Sequence, residues 1–134
     1  MLGVTAALAC LTLAGCSNSS RYSAGSTWQC LAKKGLWVRL ETGPDMAPGV
    51  EASVSFQRLA RGPRDKVVSG GFSFVRKGRS AEEVRQSFIR NQQRMIGGPP
   101  RLPWIKSGKP RRNVIPWWSG TDAKFTASAE SCLH

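Results

Sequence analysis

The 134-residue chain predicts a small α+β domain, an antiparallel sheet of about four or five strands with one helix packed on it. Two observations carry this. Several stretches alternate apolar and polar residues with the period of a half-buried strand, and a single stretch has the period, start and stop of an amphipathic helix. Hydrophobic residues make up 40% and charged residues 21%, a composition that folds and does not stay disordered. The length holds one domain with a modest core.

Taken in order, Trp28 to Ala32 reads as a short strand around Cys30. The run Leu36 to Glu41 places Leu36, Val38 and Leu40 on one face of a strand. Gly43-Pro44 and Pro48-Gly49 mark turns. The cleanest pattern follows, with Val50, Ala52, Val54 and Phe56 alternating with Glu51, Ser53, Ser55 and Gln57. Arg61 to Asp65 reads as a hairpin loop, and Lys66 to Lys77 as the next strand, with a bulge expected at Gly70-Gly71. Ser80 is a helix cap, with Glu83 three residues on as a capping box requires. Ala81, Val84, Phe88 and Met95 form the buried stripe of that helix, and Gly97-Gly98-Pro99-Pro100 stops it. Residues 99–118 read as a long, extended, proline-stiffened loop, because they hold five of the eight prolines. Ala123 to Cys132 alternates again, with Phe125, Ala127 and Ala129 on one side, and reads as the closing strand.

Charge is the other strong signal. The chain has 20 Lys and Arg against 8 Asp and Glu, a net charge of +12. Fifteen of the basic residues and three of the acids lie between Arg58 and Arg112, so this segment holds the whole excess. On a cytoplasmic protein such a balance points to nucleic acid. The N-terminus points elsewhere.

Residues 2–13 are apolar or small, with the length of a signal-peptide core and too short to span a bilayer. They end in Leu13-Ala14-Gly15-Cys16, which resembles the lipobox of bacterial lipoproteins; the resemblance covers these first sixteen residues only. One departure is the lack of Lys or Arg ahead of the apolar run. The resemblance implies that residues 1–15 are a signal peptide and that Cys16 becomes the lipidated first residue. It also implies a membrane anchor facing the periplasm, and Ser17 in place of Asp resembles the signal for the outer membrane. Residues 16–26, small and polar, then read as a flexible tether, and 27–134 as the folded domain.

The implied compartment is oxidising, and Cys10 and Cys16 are spoken for, so Cys30 and Cys132 remain for a disulfide that closes the fold. A metal site on Cys30, Cys132 and His134 is the weaker alternative.

Catalysis has little support, and no catalytic residue, metal or cofactor is expected. The single histidine is His134, which removes the usual nucleophile–histidine arrangements. Glu82 and Glu83 sit where a helix N-terminus favours acids. Glycine pairs lack the Lys-Ser/Thr context of a phosphate loop. Binding has more: Arg90, Arg94, Arg101, Trp104, Lys106, Lys109, Arg111, Arg112, Trp117 and Trp118 interleave planar cations with indoles. Such a surface suits an anionic envelope component, either lipid or lipopolysaccharide or peptidoglycan, or a protein of a trans-envelope assembly. The plainer reading has the tryptophans covering a thin core and the charges merely solvated. The expected function is a lipid-anchored, non-enzymatic docking protein. An inhibitor or immunity protein against an acidic toxin, lytic enzyme or phage component is the alternative, and nucleic acid is disfavoured.

Overall fold

A computed structural model describes residues 21–96, 105–120 and 122–134. Five strands, β1 (Trp37–Thr42), β2 (Val50–Gln57), β3 (Ser69–Val75), β4 (Ile105–Ser107) and β5 (Val114–Ser119), make one antiparallel sheet in the order β1-β2-β3-β5-β4. With it pack α1 (Ala24–Lys33), α2 (Ala81–Ile96) and α3 (Ala123–Glu130).

The alternation of β2 decides which face is core. Ala52, Val54 and Phe56 are buried and stand opposite Phe74, Phe72 and Gly70 of β3, which in turn face Val114, Pro116 and Trp118 of β5. Leu31 of α1, Phe125 and Ala129 of α3, and Leu133 close over this face. Burying Phe56 and Phe72 completely contributes about 1.5–3 kcal/mol each. The other face is covered at one side only, where Ala81, Val84 and Phe88 of α2 meet Val50, Val75, Ile115 and Trp117. Ser80 caps α2 as its sequence demands, its Oγ accepting from the Glu83 amide at 3.4 Å.

Two segments expected as strands are helices. In α1 the buried residues are Thr27 and Leu31, four apart, and Ser23 caps the helix by accepting from the Ser26 amide at 3.3 Å. In α3 they are Phe125 and Ala129, again four apart, under an Asp122 cap. Ala127, which a strand would bury beside them, is exposed. Alanine satisfies either period, and the caps decide in favour of the helix.

The disulfide forms as expected, joining Cys30 in α1 to Cys132 just past α3 with a Cα separation of 5.4 Å and a sequence separation of 102. Both sulfurs are thereby spent, which displaces the metal alternative.

Three further expectations change. The fold reaches back into the segment read as a tether: Arg21 donates to the Val75 carbonyl at 2.7 Å, and Tyr22 is packed against the core. Gly70 and Gly71 stay in register with β2 and make no bulge. Gly70 is needed for close approach, because a Cβ there would lie 2.7 Å from the Trp118 ring and 2.9 Å from Phe56. The proline-rich stretch contains β4 and β5, paired as a hairpin whose turn lies at Arg112-Asn113.

Candidate docking surface

The strands define two ends of the molecule. At one, which we call the entry end, lie the start of the described chain, the β1–β2 connection, the β3–α2 turn and the β4–β5 hairpin. At the other, the loop end, lie the β2–β3 loop, the start of β1 and the start of α3. About 20 Å of strand separates them.

The entry end is knitted together. The Asn113 side chain accepts from the Tyr22 amide at 2.7 Å and donates to its carbonyl at 3.1 Å. The Ser23 amide donates to the His134 carbonyl. The Val75 amide donates to Asn113 and the Arg76 amide to Gly49, which draws the β3–α2 turn and the hairpin side by side. Arg21 pairs with Glu51 at 3.3 Å and Arg111 with Glu130 at 3.1 Å. Arg112 lies 5.0 Å over the Tyr22 ring, with a backbone φ of 53°.

The expected binding residues do not form one surface. Lys109, Arg111 and Arg112 belong to the entry end. Lys106 is exposed on edge strand β4 and Arg90 is exposed on α2. Arg94 lies on the same helix. Cys16, Arg101 and Trp104 fall outside the described residues. Trp117 and Trp118 are neighbours on one strand and so point to opposite faces. Trp117 packs on Phe88, ring centroids 5.4 Å apart, and its indole N–H donates to Ser73 Oγ at 2.8 Å. Trp118 meets Phe56 and Phe72 edge-on at 5.9 and 5.8 Å. Both are half-buried packing residues first.

The loop end holds what the spacing of residues did not point to. Residues 58–67 of the β2–β3 loop are all exposed and carry Arg58, Arg61, Arg64 and Lys66, with Lys124 at the start of α3 on the same end. Among these cations stand two aliphatic side chains, Leu59 at 58% and Val67 at 61% exposed, and Trp37 at 49% exposed begins β1. The loop is held, not loose: Asp65 accepts from the Arg61 amide at 2.7 Å, and its own amide donates to Gly62 at 3.1 Å. Arg58 pairs with Asp122 at 3.0 Å. The Phe125 amide, then Arg58, hold the Asp122 carboxyl below the usual range. Both acids of this end are therefore engaged, while Arg61, Arg64, Lys66 and Lys124 have no ion-pair partner among the described residues. Beside the loop is an open depression of about 220 Å3 lined by Ser69, Gly70, Gly71, Trp117, Trp118 and Ser119, so both indoles line this end as well as the core.

Arg85 of α2 fixes the edge strand, donating to Ser107 at 2.8 Å and pairing with Glu82 at 3.0 Å. Gln86, then Arg85, hold Glu82 below the usual carboxylate range. Among the described residues no cluster of three or more His, Cys, Asp or Glu side chains is placed to hold a metal ion, and no helix is long and apolar enough to cross a membrane. Compared with known proteins, the chain matches no family model, no curated protein and no solved structure.

Proposed function

We propose that the protein is a lipid-anchored, non-enzymatic docking protein of the bacterial cell envelope. It is held through Cys16, at the periplasmic face of the outer membrane, and presents its loop end to an anionic envelope component or an acidic face of an envelope protein. The observation that carries this reading is the β2–β3 loop: four basic residues and two exposed aliphatics on a hydrogen-bonded hairpin, beside a depression edged by tryptophan. Lone exposed aliphatics are ordinary, but two inside a cation cluster form a surface that both attracts and desolvates an acidic partner. The anchor rests on the lipobox resemblance at residues 13–16. The same fixed loop also suits an inhibitor that enters an acidic cleft, which predicts a one-to-one complex with a single protein.

The test has two arms. Cys16→Ser should move the protein from the membrane to the soluble fraction in a high-salt wash; retention of the variant there would end the anchor reading. Full-length protein should co-sediment with purified sacculi, lipopolysaccharide or a crosslinked envelope complex in a salt-sensitive way. The triple variant R61E/R64E/K66E should weaken that interaction by about a hundredfold, since each of three contacts contributes on the order of 1 kcal/mol before reversal. Unchanged retention of the triple variant on all three would sink the docking reading.

A further inference from the structure

We propose that the entry end lies flat against the headgroup layer of the membrane that carries the lipid, so that the strands stand away from the bilayer and the loop end faces outward. The inference rests on the proposed lipidation of Cys16 and adds an orientation to it. Three observations lead there.

The first is where the chain enters the fold. Arg21 is bound to the Val75 carbonyl and to Glu51, Tyr22 to Asn113, and Ser23 to the far end of the chain at His134. Every one of these partners belongs to the same end of the sheet. The second is reach. Cys16 and Arg21 are five residues apart in sequence, and five residues extend at most about 18 Å. A lipid on Cys16 therefore brings Arg21, and the end it is stitched to, close to the headgroups; the loop end is farther off by the length of the strands.

The third is charge. Arg76, Lys77, Arg79, Lys109 and Arg112 are all exposed at this end, and none is in an ion pair among the described residues. Its acids are mostly engaged: Glu51 with Arg21, Glu130 with Arg111 and Glu82 with Arg85, which leaves Asp45 on the β1–β2 connection and Glu83 in the first turn of α2, two acids against five free cations. Each basic residue near an anionic leaflet strengthens attraction about fivefold. The cations of the loop end, about 20 Å away, lie beyond the screening length at physiological salt and contribute little to it. Anionic lipid headgroups are thus the partner of the entry end.

The experiment uses the lipidated protein in vesicles of equal parts phosphatidylglycerol and phosphatidylethanolamine, doped with a headgroup quencher. A fluorophore is placed at Lys77 in one preparation and at Lys66 in another through a non-natural amino acid. The probe at Lys77 should be quenched several-fold more than the probe at Lys66, and R76E/R79E/R112E should reduce that difference. Equal quenching, or stronger quenching at Lys66, overturns the orientation. Membrane partition of the Cys16→Ser variant in high salt, where attraction to the headgroups is screened, separates the two ideas: if it stays bound, the anchor reading fails and takes the orientation with it. If it is released while the two probes quench alike, the anchor stands and the orientation alone is wrong.

Discussion

The two ends of the sheet carry charge of the same sign and are built in opposite ways. At the entry end the cations sit on a scaffold tied by paired backbone bonds: Asn113 grips both polar groups of Tyr22, and Arg21 reaches the Val75 carbonyl. At the loop end Asp65 and Asp122 secure a single hairpin and a helix start, and the surface beyond them is aliphatic and basic. A basic residue at the entry end therefore stands on a framework that fixes its position. One at the loop end, beside Leu59 and Val67, stands where a partner can bury it. Net charge alone would treat the two alike.

Substitutions separate them. The largest stability effect should come from the Cys30→Ser/Cys132→Ser double variant. The bridge closes a loop of 102 residues, and its loss should cost up to about 4–5 kcal/mol, read as a lower urea midpoint. Asn113→Ala comes next. It leaves a donor and an acceptor of Tyr22 without partners at a site where Asn113 itself is buried, and should cost about 2–3 kcal/mol by the same measurement. At the loop end the ranking inverts. R61E/R64E/K66E should change stability by no more than about 0.5 kcal/mol while removing most partner binding. A large fall in its unfolding midpoint would show that the loop is structural and erase the contrast. The smallest effect is with pH. Asp122 is held below the normal carboxylate range in the fold, so it favours folding above the unfolded-state value near 3.8 and ceases to as pH falls through its lowered native value. Asp122→Asn, which keeps a cap but cannot titrate, should show a flatter loss of thermal stability on acidification.

How far the sequence discloses this arrangement depends on how many side chains can satisfy one period only. Val54 and Phe56 alternate with serine and glutamine, and no helix explains that, so β2 is plain. Ser80 and Glu83 likewise announce α2. The helices α1 and α3 are short and rich in alanine, serine and threonine, whose small volumes fit either period, and the caps Ser23 and Asp122 are the signals that distinguish them. Prolines between 99 and 118 mask a hairpin because Pro116 lies inside β5, a strand paired on both sides, where a proline in the sequence argues against a strand. The candidate site was hidden for a different reason. Leu59 and Val67 in a sequence look like core residues; only the folded hairpin shows them outside it.

The disulfide has a consequence for what happens when the exposed loop is cut. A protease that recognises arginine meets Arg61 and Arg64 on the surface, between β2 and β3, with Cys30 on one side of the cut and Cys132 on the other. The nicked molecule is then two peptides with one covalent link. Gels run without reductant would show the original mass, and those run with reductant would show two pieces. Cleavage in this loop therefore opens the β2–β3 hairpin while both fragments stay joined and nothing is shed.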